Sequence, residues 1–128
     1  MQEKDYARQH SYKRRLSQLR KAENDLELRI ERLYKECVGH TPTQVQCAFL
    51  NTSDLYIYLE GTHSPSEIFL EEWGSSDLVS RMRQAINQII KEKINTAIQS
   101  DLSVRVHNVK LLKPERSEQL NVLVSFQM

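Results

Sequence analysis

The sequence predicts an α+β fold whose elements follow the order α-β-β-α-α-β-β. Residues 12–37 and 78–98 repeat apolar residues at intervals of three and four, which is typical of amphipathic helices. Four shorter segments have the apolar patterns of strands: residues 45–50, 55–59, 104–112 and 120–126. The chain has 128 residues, 39% hydrophobic and 27% charged, which suits one globular unit. The simplest architecture is a four-stranded, mostly antiparallel sheet with one long helix across a face and another at the N-terminus.

The N-terminal helix is predicted over about residues 12–37, because neither proline nor glycine precedes Gly39. Its apolar positions follow a heptad pattern that Glu23 interrupts: Tyr12, Leu16, Leu19, Leu26, Ile30, Leu33 and Cys37. So narrow a stripe either packs on the sheet of its own domain or pairs with another helix. We therefore divide the chain into a basic heptad helix, residues 1–37, and an α+β domain, residues 38–128.

A β-hairpin follows over residues 45–59. Turn-forming residues 51–54 separate its two alternating strands. Leu55, Ile57 and Leu59 point to one face of the second strand, and Tyr56 and Tyr58 point to the other. The two tyrosines form either an exposed contact surface or a surface that the N-terminal helix covers, in the same or another subunit.

A short helix is predicted to begin at Pro65. Ser64 and Glu67 have the spacing of a capping box, and proline suits the first helical position. The long helix that follows has one amphipathic stripe: Leu78, Met82, Ala85, Ile86, Ile89, Ile90, Ile94, Ala97 and Ile98. We expect this stripe to pack on the sheet.

The net charge of +1 conceals a basic N-terminus. Residues 1–21 hold seven Lys and Arg against two acidic residues. The basic patch within this segment consists of Lys13, Arg14, Arg15, Arg20 and Lys21. It could bind nucleic acid or an anionic membrane surface in a salt-dependent way, or be the solvated end of a helix.

Catalytic and metal-binding motifs are not found in the sequence. Three glycines are too few for glycine-rich phosphate loops, and two cysteines are too few for a disulfide framework. The pair Cys37 and His40 lacks the other two ligands that a zinc site needs. We expect no enzymatic activity, no metal and no cofactor. We also expect a cytoplasmic protein, since no apolar run suggests a signal peptide or a membrane span.

Residues 33–126 resemble the MpsC-like domain family, long listed as a domain of unknown function. Its name comes from a bacterial sodium-translocating, membrane-potential-generating system. The resemblance rests on short motifs: Val38-Gly39-His40-Thr41-Pro42, Leu59-Glu60-Gly61, Thr62-His63-Ser64-Pro65-Ser66-Glu67, Leu78-Val79 with Arg81 and Arg83, and Val124-Ser125-Phe126. It implies an accessory or regulatory cytoplasmic protein linked to ion or bicarbonate transport, and it implies no enzyme.

Our expectation is a non-enzymatic interaction protein that self-associates as a homodimer and binds a further protein, with a membrane transport system as the candidate. One alternative is a phosphate-binding module that contacts nucleic acid or anionic lipid through the basic patch. Another is a small-molecule sensor. The candidate contact residues are Gly39, His40, Pro42, Tyr56, Tyr58, Glu60, Gly61, Ser64, Pro65, Glu67 and Arg83.

Overall fold

The computed structural model describes residues 3–127, with side chains from residue 16 onward. Its elements occur in the predicted order: α1 (Glu3–Val38), β1 (Gln44–Phe49), β2 (Asp54–Glu60), α2 (Pro65–Glu72), α3 (Ser76–Leu102), β3 (Arg105–Leu112) and β4 (Gln119–Gln127). The α+β prediction is confirmed. Both long helices extend further than predicted. Within the described residues, none of the helices combines the length and apolar content that a bilayer crossing requires.

The four strands form one sheet in the order β1-β2-β4-β3, and every neighbouring pair is antiparallel. Ile57 at the centre lies opposite Cys47 on one side and Val122 on the other. These inward residues are buried, and both long helices pack against their face of the sheet. The opposite face has no helix over it within the described part of the chain.

The second half of α1 packs on the sheet of its own chain. Leu26, Ile30 and Leu33, three of the heptad positions, are buried in the core. Of the two alternatives for the apolar stripe, this half therefore takes the first, which is packing on the sheet of its own domain. Leu16 and Leu19, nearer the N-terminus, keep 47% and 45% exposure. The boundary after residue 37 stays a prediction, although both sides of it contribute to one core.

Helix α1 also covers the edge of the sheet at β1. The Glu23 carboxylate accepts a hydrogen bond from the backbone N–H of Phe49, and the Glu27 carboxylate accepts one from Cys47, each at 2.9 Å. Four residues of helix rise about 6 Å and two residues of strand about 6.7 Å, so the two spacings match. Glu23 therefore interrupts the apolar stripe because its carboxylate binds the strand edge.

The stripe predicted for α3 divides between two faces of the helix. Ile90, Ile94 and Ile98 are fully buried against the sheet, as expected. Leu78 and Ile89, assigned to the same stripe, are instead 52% and 46% exposed, so that part of the prediction is wrong. The nine residues spread over a wider arc of the helix than one face of the sheet can cover. Leu78 and Ile89 lie outside the covered arc.

Candidate functional site

The candidate site forms around the segment between β2 and α2. The backbone oxygen of Thr62 accepts a hydrogen bond from the Tyr34 hydroxyl on α1 and another from Arg83 Nη2 on α3, each at 2.5 Å. The neighbouring Gly61 oxygen lies 3.0 Å from His40 Nε2. Residues far apart in the chain thus hold one short loop. We call Tyr34, His40, Gly61, Thr62, Ser64, Glu67 and Arg83 the loop cluster.

Glu67 is the centre of the loop cluster, and its side chain is fully buried. The predicted capping box is present: the Ser64 hydroxyl accepts from the Glu67 N–H at 3.2 Å, and Glu67 Oε1 accepts from the Ser64 N–H at 3.0 Å. Arg83 donates from Nε to Glu67 Oε2 at 3.0 Å and from Nη2 to Oε1 at 2.5 Å. One carboxylate therefore both caps α2 and ties it to α3.

The surroundings of Glu67 favour its charged form. Burial by itself would raise the pKa of Glu67, but hydrogen bonds from Ser64 and Arg83 and the Arg83 charge together lower it. Burial raises the pKa of Tyr34, although the nearby Arg83 opposes this. Tyr34 is therefore a neutral hydrogen-bond donor, and Glu67 and Arg83 form a charged pair.

Two glycines shape the backbone beside the loop cluster. Gly61 has φ +74°, and a Cβ atom there would lie 2.9 Å from the backbone nitrogen of Thr43 and closer still to the Thr43 side chain. Gly39 also has a positive φ, +92°, but a Cβ atom there would meet nothing within 4 Å. Gly61 is thus required by both conformation and space, whereas Gly39 is required by conformation alone.

His40 and Pro42 complete this end of the fold. The rings of His40 and Tyr34 meet edge to face, with centroids 5.4 Å apart. His40 Nδ1 is buried and has no hydrogen-bond partner among the described residues. Pro42 is buried, whereas Pro65, at the first position of α2, is exposed. These contacts join the loop after α1 to the loop before α2.

Three predicted residues lie outside the loop cluster, on the open face of the sheet. Tyr56 donates to Asn121 Oδ1, and the hydroxyl of Tyr58 accepts from the amide of Gln119, each at 3.1 Å. Glu60 pairs with Arg116 at 2.7 Å. No helix of the described chain covers this face, and both tyrosines are half-buried among neighbouring side chains. Binding of a partner to this face stays a prediction.

A groove lies beside the loop cluster, between α2, α3 and the β3–β4 connection. Its volume is about 460 Å³, and Glu67 and Arg83 contribute to its wall. Most other polar groups around it are neutral, from Ser80, Gln84 and Asn87. The Asn87 Oδ1 atom is buried without a hydrogen-bond partner among the described residues. The groove offers hydrogen-bonding groups but no concentration of positive charge.

Sequence reasoning missed two members of the loop cluster. Tyr34 directly follows the heptad position Leu33. The heptad pattern predicts no core residue at position 34, yet Tyr34 is completely buried. Thr62 contributes its backbone oxygen, which side-chain patterns do not reveal. The one sequence signal for the burial of Tyr34 was its position directly after the apolar Leu33.

The basic patch lies on the N-terminal half of α1, away from the loop cluster. Arg20 and Lys21 are exposed. The side chains of Lys13, Arg14 and Arg15 lie outside the described residues. The prediction that this patch binds an anion therefore stays open.

The two cysteines differ in their surroundings. Cys47 is buried, and desolvation together with the nearby Glu27 and Glu23 carboxylates raises its pKa to about 12. Cys37 is half-buried. Among the described residues, no group of three or more His, Cys, Asp or Glu side chains could hold a metal ion.

A sequence model of one protein family matches residues 18–122, which is most of the chain. The family is described as MpsC, Na⁺-translocating membrane potential-generating system. Neither the curated proteins nor the solved structures contain a match to this chain.

Proposed function

The chain belongs to the MpsC family, and from this premise we propose that it is a non-enzymatic accessory protein of a Na⁺-translocating, membrane-potential-generating system. In this proposal it acts from the cytoplasm, self-associates, and regulates the system by binding one of its proteins. The family description links the chain to that system. The role of an accessory protein within it is our inference.

The use of Glu67 is the observation that best supports a binding role. A carboxylate that serves as a general acid or base must reach the substrate proton and be able to change its protonation state. Glu67 is fully buried, and Ser64 and Arg83 occupy its oxygens and lower its pKa. Glu67, the charged side chain that is buried within the described chain, is thus committed to holding α2 and α3 together, which favours a rigid scaffold for partner surfaces.

The proposal can be tested in cells that contain the transport system and lack this chain. Na⁺-dependent membrane potential would be followed with a voltage-sensitive dye while expression of the chain is increased stepwise. An accessory protein should restore the potential in proportion to its amount, up to a fixed ratio to the transporter. Full restoration by trace amounts would indicate a catalyst, and no restoration at any level would contradict a role in this system.

The groove beside the loop cluster favours ligand sensing as a second candidate function. Its volume of about 460 Å³ falls within the range of small-molecule sites, roughly 300–1,000 Å³. Asn87 lines the groove, and its Oδ1 atom is buried without a hydrogen-bond partner among the described residues. A ligand of the folded state must raise the unfolding midpoint, so thermal-shift measurements with nucleotides and bicarbonate test this candidate. The Asn87→Leu variant should lose any shift that depends on the groove.

The basic patch supports anion binding less directly, through the exposed Arg20 and Lys21. If it binds RNA, DNA or anionic lipid, affinity should fall steeply as salt increases. Neutralising Arg20 and Lys21 should weaken binding further. Binding that is insensitive to both changes would exclude this role.

A further inference from the structure

The two edge strands of the sheet, β1 and β3, differ in how their outer hydrogen-bonding groups are used. On β1, the N–H groups of Cys47 and Phe49 donate to carboxylates of α1, each at 2.9 Å. On β3, the N–H of Val106 donates to Gln99 Oε1 at 3.2 Å. Beyond Val106, no hydrogen bond joins the outer edge of β3 to another described residue. The described chain therefore covers one edge of its sheet and leaves most of the other open.

The strand register shows which main-chain groups of β3 point outward. The N–H of Phe126 on β4 donates at 2.8 Å to the backbone oxygen of the residue before β2. Because main-chain groups alternate sides along a strand, Leu123 directs its groups the other way, toward Lys110 opposite it on β3. The neighbours of Lys110, which are Val109 and Leu111, therefore direct their N–H and C=O groups away from the sheet.

A groove of about 520 Å³ follows this edge, between β3 and α3. Consecutive residues 108–111 of β3 line it, so it faces the backbone edge of the strand and not one side-chain face. Gln84, Asn87, Gln88 and Lys91 form its wall on α3. We call it the edge groove. It shares lining residues with the groove beside the loop cluster, so the two continue into one another along α3.

Both charged side chains that line the edge groove are lysines. Lys91 is half-buried and Lys110 is exposed, and neither forms an ion pair with a described residue. Glu92 accepts a hydrogen bond from Gln88 at 3.2 Å but does not line the groove. Further along, beside the loop cluster, the exposed Glu71 adds a negative charge. The positive charge is thus concentrated beside the open part of β3.

From these features we propose that the β3 edge binds an extended acidic segment of a partner protein, which adds a further strand to the sheet. Its main chain pairs with the outward groups of Val109 and Leu111, which is a common mode of peptide recognition. Side chains of an added strand alternate between the two faces. Two neighbouring acidic residues therefore reach Lys91 on the helix side and Lys110 on the open face. The inference rests on the partner-binding role in the proposed function, and it names the surface and the chemistry of the partner.

The same charges disfavour a second copy of this chain at this edge. Two β3 strands that paired antiparallel around Lys110 would place the two copies of this lysine directly opposite each other. Like charges in that position destabilise a strand pair, and lysines on edge strands prevent edge-to-edge association. An acidic segment gains attraction at the same position. The partner for this edge is therefore a different, oppositely charged chain.

Amide hydrogen exchange, followed by NMR on the full chain, tests the geometry of the edge. The N–H groups of Val109 and Leu111 should exchange faster than that of Lys110 by about tenfold or more, because only Lys110 is bonded to β4. Equally slow exchange at all three positions would show that the edge is already covered. That result would overturn the proposal.

Binding is tested with a fluorescein-labelled peptide of eight residues, in which threonine and valine alternate around two central glutamates. Fluorescence anisotropy should show binding, and saturation should slow exchange at Val109 and Leu111. Two lysines in place of the glutamates should weaken binding, and N-methylation of alternate amides should abolish it, since it removes the main-chain donors. No binding of the acidic peptide at about 1 mM would overturn the proposal. Equal binding of the glutamate and lysine peptides would also contradict it.

Substitutions locate the peptide on the chain. Lys91→Glu should weaken binding of the acidic peptide about tenfold. Lys93→Glu is the matched control, since Lys93 is exposed on the same helix and does not line the edge groove. Leu111→Pro removes an outward N–H that β4 does not use and should abolish binding, with circular dichroism to establish folding. Equal effects of the two lysine variants would overturn the proposal, and this comparison stands even if Leu111→Pro does not fold.

The transport assay separates this inference from the proposed function. If the wild-type chain restores the membrane potential and Lys91→Glu and Leu111→Pro restore it equally well, this surface is wrong and the accessory role stands. If the wild-type chain restores nothing but its β3 edge binds the acidic peptide, the role in the transport system is wrong and strand addition stands.

Discussion

Replacing Arg83 with methionine tests whether the loop cluster stabilises the fold as an ion pair. The Arg83→Met variant loses three hydrogen bonds, two to Glu67 and one to the Thr62 oxygen. Breaking a buried ion pair by removing one partner costs roughly 3–5 kcal/mol. Because the Arg83 side chain keeps 20% exposure, water screens part of the site, and we expect the lower end, about 3 kcal/mol. Domains of this kind are stable by about 5–15 kcal/mol, so most of the variant should still fold.

Urea unfolding followed by far-ultraviolet circular dichroism measures this loss. It should be largest at neutral pH and shrink toward acidic pH, since a protonated Glu67 no longer needs a cation beside it. Arg83→Lys keeps the charge but not the planar fork, and it should cost less than Arg83→Met. The double variant Glu67→Gln with Arg83→Met should cost less than the two single costs added together. A loss below about 1 kcal/mol, or one independent of pH, would refute the ion-pair reasoning.

Three further predictions concern two glycines, the two cysteines and the pKa of Glu67. Gly61→Ala should destabilise the fold in urea by more than Gly39→Ala, because only the first adds a clash to the positive φ; equal losses would count against the clash. Cys37 should react with a thiol reagent in the native state, and Cys47 should react only after unfolding. Rapid reaction of both thiols in the native state would contradict the burial of Cys47. The folded-state pKa of Glu67 is lowered, so its contribution to stability is present above the ordinary value of 4.5 and is lost as pH falls below it. The stability difference from Glu67→Gln should shrink over that range, and a constant difference would argue against a lowered pKa.

The element order and the hairpin could be predicted because periodicity reports directly on which face of a strand or helix is buried. Ile57 and Ile94 show this, since both lie in the core as their patterns indicate. The capping box at Ser64 and Glu67 was also visible, because it depends on residues three apart in the chain. Local chemistry therefore carried these predictions.

The remaining features depend on tertiary contacts that no local pattern records. Arg83 reaches Glu67 and Thr62 only because α3 passes beside the loop. Leu78 and Ile89 satisfy the same helical period as the buried isoleucines, so only the width of the sheet face separates them. Glu23 interrupts a heptad in the sequence, and its role becomes visible only when the partner strand is placed beside it.

The carboxylates of Glu23 and Glu27 have a consequence for how the chain can be shortened. A strand with free N–H groups at the edge of a sheet is a template on which other chains can add strands, and this is how ordered aggregates begin. In this fold α1 occupies two of those groups on β1. Trimming the N-terminal helix back past Glu27 would therefore remove more than a charged extension. It would expose the unpaired N–H groups of an edge strand. The shortened protein should therefore form fibres under conditions in which the full chain does not.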